Sequence, residues 1–150
     1  MKIIKANITD ADTLTALTLR SKLYWGYSDN QIESWKDDLT ISSDYVSNNQ
    51  VYKLVADDKL VGFYAFLPET NTKVVLNFLF VAPEFIGKGF GKILMNDFLE
   101  RIKKLHYKKV TLVADPNAEA FYKSAGFNVT EKLESSIEGR FLPVMEKEII

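Results

Sequence analysis

Gly87, Gly89 and Gly91 stand within VAPEFIGKGFGKIL, between the end of an apolar run and the start of a long amphipathic one. Glycine lets successive backbone N–H groups turn toward one point, and the amino terminus of a following helix adds a partial positive charge. That combination suits a phosphate or pyrophosphate, although a plain strand-to-helix turn uses the same residue types. Two commoner phosphate-loop spellings fail. GxxxxGK[ST] would need glycine at Ile86 and a hydroxyl at Ile93, and GxGxxG is excluded by the spacing GxGxG. A nucleoside triphosphatase and a dinucleotide dehydrogenase are both disfavoured.

Other chemistries are bounded by what is scarce. The 150 residues contain no cysteine, which removes thiolate catalysis, zinc–cysteine sites and disulfides together. His106 is the only histidine; it falls among Lys103, Lys104, Lys108 and Lys109 and reads as a solvated helix end, so no metal site is expected. The formal net charge of -1 offers no general field for nucleic acid or an anionic membrane, so an anionic ligand must be held locally. No apolar run approaches the ~18 residues of a membrane span, and the apolar run in MKIIKANITDADT is too short for a signal peptide, so neither is expected. A cytoplasmic protein is the default expectation.

A second informative stretch is ADPNAEAFYKSAGF, from Ala114 to Phe127. Together with GKGFGK it resembles the Gcn5-related N-acetyltransferase (GNAT) family, whose loop reads Q/R-x-x-G-x-G/A at a strand-to-helix junction. Gly89 and Gly91 match that pattern, while Ile86 replaces the usual Arg or Gln. The resemblance implies acetyl-CoA as cosubstrate, its pyrophosphate held mostly by backbone N–H groups around Ile86, Gly87, Lys88, Gly89, Phe90, Gly91 and Lys92. It also implies an oxyanion donor among the backbone N–H groups near Phe80 or Val81, with Asn117, Phe121 and Tyr122 toward the thiol. The flanks Ser21 to Tyr27 and Gly139 to Pro143 resemble a subgroup of the same family, a kinship that names no substrate.

Acyl transfer from a thioester to an amine needs a deprotonated amine, a stabilised oxyanion and a proton for the departing thiolate. Tyr122 is the candidate general acid, since phenol and thiol have ordinary pKa values of ~10 and ~8.5. The base is the weakest assignment. Related sequences often place a carboxylate on the strand where this chain has Val75, Asn77 and Phe78, so a water relay, Glu33 or Glu84 would have to substitute. For the acceptor, the candidates are Trp25, Tyr27, Asn77 and Arg140; the aromatics among Tyr24, Trp25, Tyr27 and Trp35 serve equally well as core. The acceptor itself is an amine, whether small molecule, amino acid, antibiotic or protein group, and dimerisation, common in the resembled family, allows a homodimer.

The elements that must position these residues read as follows. Lys2 to Ala6 is a short strand, and a helix follows with Leu14, Leu17 and Leu23 at helical spacing and a cap-like Thr9–Asp12 pair. Ser28 and Gln31 open a helix through Ile32, Trp35 and Leu39, and Ser42 to Asn49 holds a further short turn. VYKLVA, LVGFYAFL and KVVLNFLFV read as sequential antiparallel strands. Phe90, Ile93, Leu94, Phe98, Ile102 and Leu105 give the longest helix, KKVTLVA a strand reached by a parallel crossover, Asn117 to Ala125 a short helix stopped at Gly126, and the tail a hairpin. The expected fold is α/β (α+β), a GNAT-like three-layer domain over residues 1–150 with a mostly antiparallel mixed sheet of about seven strands. Two other readings stay open: an acyl-CoA-binding module without turnover, and a protein-interaction domain whose glycine loop is only a turn.

Overall fold

The computed structural model describes residues 1–150. Seven strands form one mixed sheet in the order β1-β2-β3-β4-β5-β7-β6, with β1 Lys2–Lys5, β2 Gln50–Ala56, β3 Lys59–Pro68, β4 Lys73–Val81, β5 Lys109–Val113, β6 Asn128–Glu134 and β7 Phe141–Glu148. The helices are α1 Ala11–Tyr24, α2 Asp29–Ser34, α3 Lys36–Leu39, α4 Ser43–Asn48, α5 Phe90–Lys104 and α6 Glu119–Ser124. The residues cluster into two compact units, Met1–Ala65 with Phe78–Asp97, and Phe66–Asn77 with Phe98–Ile150.

In the first unit β1 pairs antiparallel with β2, from Lys2↔Val55 to Lys5↔Tyr52. The chain then enters α1 through a 3-10 turn whose capping box is Asn7 with Asp10, not Thr9 with Asp12. The Asn7 side chain and the Asp10 carboxylate satisfy orphan N–H groups reciprocally, and Asp10 also meets Lys53 at 2.9 Å. The buried face of α1 is Ala11, Leu14, Leu17, Thr18 and Ser21. Leu23 lies six residues, or about 600°, past Leu17 and therefore turns out to solvent. The helix expected from Ser28 to Leu39 has the expected Ser28–Gln31 capping box but breaks at Trp35 into α2 and α3.

Asp57 and Asp58 both take positive φ, 50° and 61°, forming the two-residue turn that matches the twist of β2 and β3. β3 is buried at every residue from Val61 to Phe66, which explains why LVGFYAFL lacks a two-residue polar alternation. Phe63 and Ala65 join Leu14, Leu17, Ile41, Val46, Val51 and Ala82 in a core flanked by Phe78 and Phe80. Tyr64 donates its hydroxyl to Asp97 Oδ2 at 2.5 Å, tying α5 to this strand by a charge-assisted bond.

The second unit contains the β4–β5 pairing. β4 runs parallel to β5, from Lys73↔Lys109 to Val75↔Thr111, and β5 pairs antiparallel with β7. β7 is inserted between β5 and β6, so the final hairpin enters the sheet by its second strand. Within this unit α5 packs Phe98 against Phe66 at 5.4 Å. It ends as expected near His106, which takes φ 69° while Tyr107 N–H returns to the Ile102 carbonyl at 3.0 Å. Gly126 closes α6 in the same way, with Phe127 N–H on the Tyr122 carbonyl. No helix is long and apolar enough to cross a membrane, and no group of three or more His, Cys, Asp or Glu side chains is arranged to hold a metal.

One backbone approach in the first unit admits no side chain. A Cβ built on Gly62 would stand 2.6 Å from the Phe80 carbonyl oxygen, 2.9 Å from Leu94 Cδ1 and 3.3 Å from Val81 Cα. Two of those obstacles are backbone and cannot rotate aside. Gly62→Ala is therefore expected to cost about 1–3 kcal/mol by overpacking, read as a lowered urea midpoint with unchanged m-value.

Candidate functional site

The glycine loop is assembled within the first unit. After β4, Ala82 is fully buried, a 3-10 turn covers Pro83–Phe85, and Ile86 is extended. Gly87 and Gly89 take φ of 81° and 84°, and a Cβ on either would meet nothing within 4 Å. Both conditions matter: the left-handed backbone favours glycine, and the space beyond it is open. Ile93 N–H donates to the Gly89 carbonyl at 3.2 Å, so the loop feeds directly into α5. The first turn of α5 contains no acidic residue, whereas its last turn carries Arg101, Lys103 and Lys104. The carboxyl end of the helix dipole is thus answered by cations while no side-chain carboxylate answers its amino end. Among the expected loop residues, Ile86, Phe90 and Gly91 are half-buried, and Lys88 and Lys92 are exposed. Lys88 Nζ lies 5.8 Å from the centre of the Phe85 ring, and Phe85 meets Phe90 edge-on at 5.7 Å.

The end of β4 is held from several sides in that unit. Ala82 N–H donates to the Val61 carbonyl at 2.8 Å, and Ser21 Oγ donates to the Val81 carbonyl at 2.5 Å. Phe80 points its ring toward Phe63, 6.2 Å away, so its expected contribution to a coenzyme site rests on backbone atoms. Glu84 is bound by Arg20 at 3.0 Å. A hydrogen bond from its own backbone, and then the Arg20 guanidinium, hold its carboxyl below the ordinary glutamate value. A carboxylate with that preference is a poor proton acceptor, which weighs against Glu84 as the base.

The second motif lies in the second unit. Asn117 is exposed and belongs to a 3-10 turn, Pro116–Ala118, that precedes α6; the single helix expected from Asn117 to Ala125 is thus two pieces. Asp115 caps the turn, accepting from Asn117 N–H at 2.9 Å and from Asn117 Nδ2 at 3.0 Å. Its other oxygen meets Arg140 Nη2 at 3.2 Å, and Arg140 Nη1 donates to Ser135 Oγ at 3.0 Å. With side chains only 15% and 11% exposed, the Arg140–Asp115 pair is a mostly desolvated brace. Tyr122 is buried between Phe121 at 5.3 Å and Phe127 at 5.7 Å. Burial, and then the negative charge of Asp115, push its phenol well above the ordinary tyrosine value.

Of the expected acceptor residues, Trp25 is 46% exposed at the carboxyl end of α1 and pairs edge-on with Tyr24 at 5.1 Å. Tyr27 is half-buried and packs on Trp35 at 5.0 Å, with Lys22 Nζ 5.9 Å and 5.7 Å from the two ring centres. Trp25 and Tyr27 therefore belong to separate aromatic pairs. Asn77 is exposed on β4. Sequence reasoning assigned no role to Ser21, Gly62 or Asp115. The lone glycine inside LVGFYAFL was a usable signal of close backbone approach, and Asp-Pro a signal of a capped turn. Ser21 carried none, because its partner lies 60 positions away.

The family model described as acetyltransferase (GNAT) domain matches residues 26–149. An uncharacterised N-acetyltransferase, ycf52, of Pyropia yezoensis is 29% identical over 77 residues, 51% of this chain and 44% of that protein. The chain spans about half the length of the ycf52 relatives it matches. Peptidyl-lysine N-acetyltransferase YiaC of Escherichia coli (strain K12) is 28% identical over 110 residues, 71% of this chain and 70% of that protein. Among solved structures, the PaiA N-acetyltransferase of Thermoplasma acidophilum in complex with coenzyme A superposes with a TM-score of 0.81 at 25% identity, covering 98% of both chains. A mixed seven-strand sheet with a glycine loop leading into its longest helix, and a family match over most of its length, make this chain a member of the GNAT acetyltransferase family.

Proposed function

We propose that this chain transfers the acetyl group of acetyl-CoA to a primary amine. The observation that carries the reading is the loop itself: Gly87 and Gly89 at positive φ, open space beyond each, and a 15-residue helix starting without an acid. Backbone N–H groups in such a turn, with the helix terminus behind them, fit a pyrophosphate. The loop from Ile86 to Lys92 would hold that group, and the backbone N–H near Val81 would face the oxygen on which charge develops. Acetyl-CoA supplies the activated acyl group as a thioester. The cytoplasm belongs to this reading as the compartment. Peptide lysine is the first acceptor to offer, since a relative covering most of the chain is named for it.

In this proposal the amine loses one proton to solvent through a water relay, the acyl carbon exchanges its bond to sulfur for one to nitrogen, and Tyr122 donates a proton to the sulfur before regaining one from solvent. The raised phenol pKa keeps the group protonated throughout the neutral range, at a cost in acidity toward the departing thiolate. It also makes the phenolate costly beside Asp115, so the proton must be returned promptly. A second reading, coenzyme binding without turnover, draws on one observation: the carboxylate next to the end of β4, Glu84, is already engaged by Arg20.

The first test is calorimetric titration with acetyl-CoA. Micromolar binding is expected, weakened by about 2–3 kcal/mol, roughly 50-fold, in Gly89→Glu, where a carboxylate would oppose the pyrophosphate. Absence of wild-type binding would sink the proposal. Turnover is read from thiol release, free of background because the protein has no cysteine. Tyr122→Phe should lower kcat by about 100-fold and leave acetyl-CoA affinity within about threefold; unchanged kcat would remove Tyr122 from the chemistry, and no wild-type release with any amine would favour binding alone.

Two pH measurements follow from the raised phenol. The protonated form is the active one and persists past the ordinary value of ~10, so kcat should show no alkaline fall with a midpoint near or below pH 10 that vanishes in Tyr122→Phe. For stability, the unfolded phenol ionises near pH ~10 while the folded one keeps its proton, so the unfolded state binds fewer protons and stability falls as pH rises above ~10. The difference in unfolding free energy between wild type and Tyr122→Phe, from urea titrations, should therefore shrink or reverse between pH ~9 and ~11, with a slope of up to about 1.4 kcal/mol per pH unit.

A further inference from the structure

Ser21 is 5% exposed on the inner face of α1, and its hydroxyl is used in an unusual way for a helical residue. One turn earlier, Thr18 Oγ1 donates to the Leu14 carbonyl of its own helix at 2.9 Å, the common fate of a buried helical hydroxyl. Ser21 Oγ instead leaves the helix and donates to the Val81 carbonyl at 2.5 Å, at the last residue of β4. The Val81–Ala82 peptide is planar, so its two polar atoms fix its orientation together. Ser21 holds the carbonyl, and Val61 accepts from the N–H at 2.8 Å.

The preceding peptide passes close against β3. The Phe80 carbonyl oxygen lies 2.6 Å from the place a Gly62 Cβ would occupy. In a trans peptide the Val81 N–H is directed opposite to that oxygen, away from Gly62. The two planes meet at Val81 Cα, and the second of them is held from outside β4 at both its polar atoms. Arg20, adjacent to Ser21, adds a second tie on the far side of Ala82 by meeting Glu84 at 3.0 Å.

We propose that Ser21 is a positioning residue, which acts through the Val81 carbonyl to aim the Val81 N–H at the oxygen of the reacting acyl group. This rests on the acetyl-transfer reading above. It gives a role to the first residue of the Ser21 to Tyr27 segment, and it separates orientation of the donor from binding of the coenzyme, which belongs to the loop after Ile86.

Two readouts test it, one without any ligand. In the ligand-free protein, Ser21→Ala should speed amide hydrogen exchange at Ala82 by about tenfold, with the amides of Leu14 and Leu17 unchanged, and Ser21→Thr should restore protection. In thiol-release assays with acetyl-CoA and a lysine-containing peptide, or the amine that wild type turns over fastest, Ser21→Ala should lower kcat about tenfold, less than outright loss of a donor. The KM and calorimetric affinity for acetyl-CoA should stay within about twofold, and Ser21→Thr should recover kcat. Unaltered Ala82 exchange, a kcat untouched by Ser21→Ala, equal losses in kcat and affinity, or no recovery in Ser21→Thr while that variant keeps wild-type stability would each overturn the assignment. A wild-type protein that neither binds acetyl-CoA nor releases thiol overturns the acetyl-transfer reading instead, and the catalytic part of this one with it; the Ala82 exchange then reports the clasp alone.

Discussion

At Gly62 the backbone of β3 lies against the Phe80 carbonyl with no room for even a methyl group between them. Much of the first unit is arranged around that approach. It lets the last residues of β4 sit close enough for Val61 to accept from Ala82 N–H, and it brings the Val81 carbonyl within reach of Ser21. Phe63 and Ala82 around it are core members and Phe80 packs against them, so the polar contacts are made in a setting where leaving a carbonyl or N–H unpaired would be costly. A backbone donor must be held in place if it is to stabilise charge without reorganising.

Charge is handled differently at the two motifs. At the loop the structure offers direction rather than net charge: glycines in left-handed conformations and a helix start without an acid. The chain as a whole is nearly neutral and offers no general field for an anion. At Tyr122 the environment opposes charge. Burial and the Asp115 carboxylate keep the phenol neutral, while Asp115 itself is compensated by Arg140 and by the N–H groups of Asn117. Removing Arg140 would leave a mostly desolvated carboxylate short of its strongest partner, so the brace is an organising element of the second unit even though it looks like a loop residue in the sequence.

Local signals in the sequence were strong where local physics decides. The strands VYKLVA and KVVLNFLFV, the long helix from Phe90, the Ser28–Gln31 box and the stop at Gly126 are each governed by residues within a few positions, and each is found, the first strand starting one residue earlier at Gln50. The misses have physical causes of the same scale. Two overlapping polar clusters near residue 9 offered competing caps, and Asn7 with Asp10 won; the twelve-residue pattern from Ser28 to Leu39 broke at Trp35, whose ring packs on Tyr27.

The sequence by itself determined the family, the loop and the order of elements, because glycine conformations, hydrophobic periods and turn chemistry are properties of short segments. Only the tertiary structure decided that Arg140 serves Asp115, that Glu84 is engaged by Arg20, that β7 enters between β5 and β6, and that Ser21 clasps Val81. Those partners are 25 to 64 positions apart in the side-chain contacts, and no local preference selects among the many residues such distances allow. They are fixed when the packed core brings the backbones together: Ser21 and the Arg140–Asp115 pair, largely excluded from water, take the partners that packing supplies, and the exposed Arg20–Glu84 pair follows from the same placement.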